Sequence, residues 1–209
     1  MRRARVDEIP ELARVLQRAF ARDPYFSYLT NDAPERNQRM RDHWDAILRY
    51  ASARLSQTYT TDAHDGVALW HPPGYTSPPF LDGFRLLPSM ARLTGWGRLR
   101  DVSRALAALE HRREEHAPKP HFYLSALGVE PDRQGEGVGT ALMKPALDRC
   151  DSDGLAAYLE TATGRNVLLY ERVGFAVVEE LTLPGTDIHG WLMLRTPRSN
   201  DRAATPRRR

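Results

Sequence analysis

The sequence predicts an α/β fold, a central mixed, twisted sheet of about six to seven strands with helices on both faces. Three observations carry that expectation. Strand-like runs and amphipathic helical runs alternate along the 209 residues. A glycine-rich loop at 134–139 follows the apolar run 122–129 and precedes the helix-like run 140–150. The last patterned segments, 176–183 and 188–194, read as a final pair of strands joined through Pro184-Gly185.

Taken in order, a short first strand precedes Ile9, Leu12, Ala13, Leu16, Ala19 and Phe20. Their i, i+3, i+4 spacing predicts an amphipathic helix over about 9–21, and Asp23-Pro24 stops it. A second helix is expected over about 34–55, with Met40, Trp44, Ile47, Leu48, Ala51 and Leu55 on one face and arginines around the rest. Residues 57–61 and 67–70, joined through Asp65-Gly66, read as a hairpin. The segment 71–79 holds four prolines and a glycine and reads as a loop. Residues 80–117 read as a helical insertion divided by Gly95-Trp96-Gly97, with Phe84, Leu87 and Met90 on its first stretch and Val102, Leu106 and Leu109 on its second. An insertion of that size either walls one side of a site or extends the core. Pro145 lies beyond the first turn of the helix after the glycine loop, where it costs up to ~3 kcal/mol and predicts a local kink.

Composition bounds the function class. An apolar content of 41% with 9% aromatic residues is ordinary for a chain that folds around one core, so one domain is expected over 1–196. Cys150 has no second cysteine to pair with and falls among apolar residues on a helix, which reads as core in a reducing compartment. No apolar run reaches signal-peptide or membrane-span length, so a cytoplasmic location without membrane contact is expected. The net charge of +3 sits in the tail: Arg198, Arg202, Arg207, Arg208 and Arg209 against Asp201 give +4 over 197–209, leaving the rest at −1. That basic tail is expected to be disordered and argues against a nucleic-acid partner for the folded part. A homodimer is compatible with the sequence, which does not determine oligomeric state.

The glycine loop points to a phosphorylated ligand before it points to any chemistry. Gln134-Gly135-Glu136-Gly137-Val138-Gly139, followed by Thr140, places exposed backbone N–H groups at a helix N-terminus, where the helix dipole favours an anion such as a pyrophosphate. The spacing is neither G-x-G-x-x-G, because Thr140 stands where the third glycine belongs, nor a P-loop, because the first lysine after the loop is Lys144. Gln134, Gly137 and Gly139 do match a Q-x-x-G-x-G pattern. Before the loop stands Leu127-Gly128-Val129-Glu130-Pro131. After it come Ala157-Tyr158-Leu159-Glu160-Thr161 and then Asn166, Tyr170, Gly174 and Phe175 as N-x-x-x-Y-x-x-x-G-F. These ordered elements within 121–195 resemble the GCN5-related N-acetyltransferases. Pro145, the Leu159-Glu160-Thr161 run, Arg165-Asn166 and Tyr170-Glu171-Arg172 are similar to the branch of that family containing puromycin N-acetyltransferase. Residues 1–120 resemble the family only in layout.

The resemblance implies a single domain of that fold with a splay between the fourth and fifth strands, and acetyl-CoA as co-substrate without a metal. It implies that residues 134–140 hold the pyrophosphate. Backbone groups of Leu127, Gly128 and Val129 would then face the pantetheine arm and the thioester, with an N–H polarising the carbonyl. Asn166 would bond the pantetheine amide, and Tyr170 would give its proton to the leaving thiolate. A tyrosine with a pKa near about 10 is able to serve a thiol near about 8.5 when within hydrogen-bond reach. Gly128, in an otherwise apolar strand, is expected to mark a bulge or a close backbone approach.

The base is less legible. Many family members place a glutamate where Tyr123 stands here. Glu160, at the end of the fifth strand, is the candidate for binding or deprotonating the acceptor, directly or through water, and Tyr123 and Ser125 are candidates to order that water. The competing reading of Glu160 is a strand-end carboxylate bonded to backbone. His111, His116 and His121 are spaced poorly for one helix face, so no metal site is expected, and His121 remains a candidate proton relay. Tyr25, Phe26, Trp70, Tyr75 and Trp96 either shape an aromatic acceptor pocket or pack the core. The expected function is acetylation of a small-molecule primary amine, including an antibiotic or toxic amine. The alternatives are acetylation of a protein N-terminus or lysine, and a non-catalytic acyl-CoA-binding module.

Overall fold

A computed structural model describes residues 1–31, 35–52, 57–73 and 80–198, without the side chains of 80–85. Within them the chain runs β1 (Arg2–Arg3), α1 (Ile9–Ala19), α2 (Pro24–Thr30), α3 (Arg36–Ser52), β2 (Gln57–Thr60), β3 (Gly66–His71), α4 (Phe80–Thr94), α5 (Leu99–His116), β4 (His121–Val129), α6 (Val138–Asp153), β5 (Ala156–Thr161), α7 (Gly164–Arg172), β6 (Ala176–Thr182) and β7 (His189–Arg195). The seven strands form one sheet in the order β1-β2-β3-β4-β5-β7-β6. β4 and β5 are its parallel pair, and the other neighbours run antiparallel.

Apolar periodicity puts helices on both faces. α1 turns Leu12, Ala13, Val15 and Leu16 onto one face, where they meet Met40, Trp44 and Leu48 of α3 and Val67, Leu69 and Ala126 of the sheet. On the opposite face α6 packs Leu142, Met143, Ala146 and Leu147 against Ala68, Trp70, Phe122, Leu124 and Leu159. Each fully buried Leu, Met or Phe contributes about 1.5–3 kcal/mol. That burial outweighs the backbone bond Pro145 removes from α6, and the helix continues through the proline. Cys150 is fully buried in the same layer, where burial pushes its thiol up to about 12.

Two expectations about local structure change. Asp23-Pro24 ends α1 but also starts α2: the Asp23 carboxylate accepts from the N–H groups of Tyr25 (2.9 Å) and Phe26 (3.1 Å), and Pro24 takes the first helical position. An Asp cap before a Pro is a helix-start signal as well as a stop. The β-bulge lies at Ser125 rather than at Gly128: Leu69 faces Ala126 while Trp70 faces Leu124, so Ser125 is the extra residue. The bulge inverts the alternation of β4, so Phe122 and Leu124 share the α6 face with Leu127 and Val129, whereas Ala126 lies on the α1 face. Gly128 instead allows close packing of α1, since a Cβ there would sit 2.8 Å from Leu16 Cδ2 and 3.0 Å from Ala19 Cβ.

The feature that positions the site is where β4 and β5 part. Their pairing covers His121↔Ala156 to Leu124↔Leu159 and goes no further. β4 continues to Val129 against β3 alone, and Glu160 and Thr161 of β5 pair only with Leu192 and Trp191 of β7. The gap opens immediately after the pair Leu124 and Leu159.

Candidate active site

One end of the gap is the glycine loop. Gly135 and Gly137 adopt φ of 88° and 84°, a left-handed conformation costly for any residue with a Cβ. Gly137 is the N-cap of α6 and lacks a side-chain cap, and its carbonyl accepts the first helical bond from Ala141 N at 3.0 Å. The N–H groups of Val138, Gly139 and Thr140 are therefore donors at the helix start, with no acidic residue in the first turn to compete for them. Gln134 holds the loop in place: its Nε2 donates to Val129 O (3.1 Å) and its Oε1 accepts from Arg165 Nη2 (3.2 Å), tying β4 to the start of α7. Glu136 points to Arg133, 3.1 Å away. Exposed donors at 138–140 beside a strand edge without a partner suit a ligand with a pyrophosphate and an extended amide-bearing arm.

Along the gap, Leu127 and Val129 are half-buried on the α6 side of the stretch of β4 that pairs with β3 but not with β5, and Gly128 is buried. α7 carries Asn166, half-buried, and Tyr170, 6% exposed and packed on Phe175 with ring centroids 6.0 Å apart. Burial, then the nearby Asp23 charge, raises the Tyr170 phenol, which keeps it protonated at neutral pH. Thr163, the N-cap residue of α7, lies close enough to Asp23 to oppose the rise that burial imposes on the Asp23 carboxyl.

At the far end stands Glu160. It is half-buried, and burial drives its carboxyl up to about 7 against the opposing pull of the Arg113 charge and of the Tyr123 hydroxyl. Two groups pack on the Tyr123 ring: the His71 imidazole stacks at 5.7 Å between centroids and the Arg113 guanidinium lies 4.3 Å from the ring centroid. Arg113 is ion-paired to Glu110, one turn before it on α5. Tyr25 of α2 is half-buried, its phenol raised by burial and then by the Glu160 charge. Tyr25 and Tyr28 of α2 and Ala105 and Leu109 of α5 share an apolar cluster with Leu183 and Ile188 of the β6–β7 connection.

The structure therefore brings Glu160, Tyr123 and Tyr25 together, and Asp23 lies within electrostatic reach of both Tyr25 and Tyr170. Ser125 is exposed at the bulge. Trp70 is fully buried and Phe26 is 7% exposed, both in the core, while Trp96 is 74% exposed on the turn before α5. Tyr75 lies outside the described residues. The three histidines separate: His111 pairs with Glu115, His116 with Glu179 at 2.7 Å, and His121 Nδ1 lies 3.1 Å from Pro118 O. Sequence reasoning missed Asp23, His71, Glu110 and Arg113. For Asp23 the signal was present in Asp-Pro. For the α5 pair there was none, since Glu110 and Arg113 stand in a charged run like any solvated helix face.

Comparison with known proteins bears on the same gap. The profile of the Acetyltransferase (GNAT) family matches residues 44–175, more than half of the chain. An uncharacterized N-acetyltransferase, C550.08, of Schizosaccharomyces pombe is 26% identical over 97% of this chain and 85% of its own. Among solved structures, a histone acetyltransferase HPA2 and related acetyltransferase from Corynebacterium glutamicum superposes with a TM-score of 0.68 at 21% identity, over 94% of this chain and 95% of that one. Arylalkylamine N-acetyltransferase 2 of Aedes aegypti gives 0.62 at 11% identity, over 94% and 98%. A parallel β4–β5 pair that parts at mid-strand, a glycine loop feeding α6, and a profile match spanning both place the chain in the GNAT acetyltransferase family, whose members use acetyl-CoA.

Proposed function

We propose that this chain moves the acetyl group of acetyl-CoA to the primary amine of a small molecule, with Glu160 as base and Tyr170 as acid. The observation that carries the reading is the position of Glu160, half-buried and one residue past the last β4–β5 pair, where burial raises its carboxyl to about 7. A base poised near working pH takes up and releases a proton with little driving force lost. The likeness of Pro145 and the Leu159-Glu160-Thr161 run to the puromycin N-acetyltransferase branch favours a small toxic or antibiotic amine as acceptor.

Bound acetyl-CoA supplies an activated thioester. Residues 134–140 orient its pyrophosphate, and the unpaired edge of β4 at Leu127 and Val129 lines the arm, with an N–H available to the carbonyl oxygen. The acceptor enters as an ammonium and gives one proton to Glu160, which leaves a neutral amine whose lone pair forms the C–N bond. As the C–S bond breaks, Tyr170 gives its proton to the sulfur. The phenolate then recovers a proton from the nitrogen that becomes the amide, and Glu160 releases its proton to water.

The test offers purified protein acetyl-CoA with a panel of small primary amines and with peptides bearing free N-termini or lysines, following CoA release. Turnover of small amines is expected, with Glu160→Gln lowering kcat/KM by about 10²–10⁴. Tyr170→Phe should lower kcat by a comparable factor while acetyl-CoA affinity is retained. Turnover of peptides alone would move the acceptor to proteins. Acetyl-CoA binding without turnover on any amine would favour a non-catalytic acyl-CoA-binding module.

A further inference from the structure

α7, which carries Asn166 and Tyr170, spans only nine residues, and a helix that short is marginal alone and depends on what ties it down. Its first turn is tied to the glycine loop through Arg165 and Gln134. At its other end the Tyr170 carbonyl accepts from the N–H groups of Val173 and Phe175, both at 3.1 Å, and Gly174 N donates to Glu171 O at 2.9 Å. The Val173 carbonyl accepts from Arg195 Nε of β7 at 2.9 Å. Arg195 is 2% exposed, and its Nη2 donates to Asp151 of α6 at 2.7 Å. The second Asp151 oxygen accepts from the Arg198 backbone N–H at 2.8 Å. Arg195 Nη1 is buried with no acceptor among the described residues, so the bonds from Nε and Nη2 fix the guanidinium. Gly174 leaves room for it: its φ is 98°, and a Cβ there would lie 3.4 Å from Arg195 Nε and 3.3 Å from Arg198 Nη2. One buried cation thus joins α6, β7 and the turn that closes α7. Without the Asp151 carboxylate that cation would be left buried and uncompensated, a charge the Val173 carbonyl cannot replace.

We propose that Arg195 and Asp151 are positioning residues for Tyr170, which fix the last turn of α7 so that the phenol stays within reach of the departing sulfur. The inference rests on Tyr170 being the acid. Proton transfer needs hydrogen-bond reach, and a displacement of about 1 Å by a change far from the chemistry costs up to about 10²-fold in rate. The planar fork of a guanidinium serves Val173 O and Asp151 together, whereas the single ammonium of a lysine does not span them in one geometry.

Arg195→Lys, Asp151→Ala and Asp151→Asn, each with and without Tyr170→Phe, test this in the full chain. In the absence of acetyl-CoA, amide hydrogen exchange is expected to quicken by about tenfold or more at Val173, Gly174 and Phe175, while Leu12 and Leu16 of α1 keep the parent rate. With acetyl-CoA and an amine that the parent acetylates, Arg195→Lys and Asp151→Ala should lower kcat by about 10–10²-fold and leave KM within about threefold. Neither should add to the loss in Tyr170→Phe, because the group they position is already gone. Asp151→Asn keeps an acceptor for Arg195 Nη2 and loses only that for the Arg198 N–H, so it should show the same pattern more weakly; should the other two fail to fold, it decides. Exchange that quickens equally in α1, or a loss of kcat that multiplies with that of Tyr170→Phe, would mean a merely structural role and overturn the proposal. If Tyr170→Phe by itself turns over like the parent, the acid assignment fails and the proposal with it. If Tyr170→Phe is slow while the Arg195 and Asp151 variants exchange and turn over like the parent, the positioning role alone fails.

Discussion

Glu160, the proposed base, carries a local cost. Its carboxyl lies near 7 in the folded chain, above the ordinary glutamate value of about 4.3, because burial penalises the charged form. A pKa raised on folding means that the native state binds the proton more tightly than the unfolded chain. The associated stability is complete below the unfolded value and is lost as pH rises through 7. Glu160→Gln keeps the shape of the side chain without the charge. Its melting temperature should exceed that of the parent at pH 8 and match it at pH 4, as scanning calorimetry at both values would show; equal melting at pH 8 would mean the carboxylate is not destabilising. Tyr170 titrates outside the working range, so its protonation state requires no such balance.

At the scale of elements, the bulge at Ser125 and the glycine at 128 divide the work of shaping β4. The bulge inverts the facing of the strand, which turns Leu127 and Val129 toward the α6 layer, while Gly128 lets α1 lie close on the other face. Gly128→Ala would place a methyl carbon 2.8 Å from Leu16 Cδ2. Displacing α1 to relieve that clash should cost about 1–3 kcal/mol, read by denaturant unfolding, and should raise KM for acetyl-CoA because the strand edge moves with the helix. The strand, the glycine loop and α6 were legible in the sequence because each signal is local: an apolar run, a glycine cluster and a helical period. The bulge was not, because strand register depends on the partner β3, which no pattern within 121–129 reports.

For the whole molecule, the sheet is continuous through β4 and β5 only over four residue pairs. A ligand in the gap would join the β1–β4 side to the β5–β7 side, so binding should be reported by global stability. Acetyl-CoA at about 100 times its Kd adds about 2.7 kcal/mol, which for a chain of this size raises Tm by about 5–10 °C. NAD and ATP, lacking the pantetheine arm, should shift it far less, and equal shifts for all three would remove the arm from the binding account. By itself the sequence determined the α/β class, the glycine loop as a candidate anion site, the candidates Glu160 and Tyr170, and the place of the helical insertion, because these signals are written in contiguous residues. The tertiary structure alone decided what surrounds Glu160: Tyr25, Glu110, Arg113 and Tyr123 converge from α2, α5 and β4. A proton affinity set by burial and by charges more than forty residues away in sequence has no local signature, since it exists only once the chain has folded.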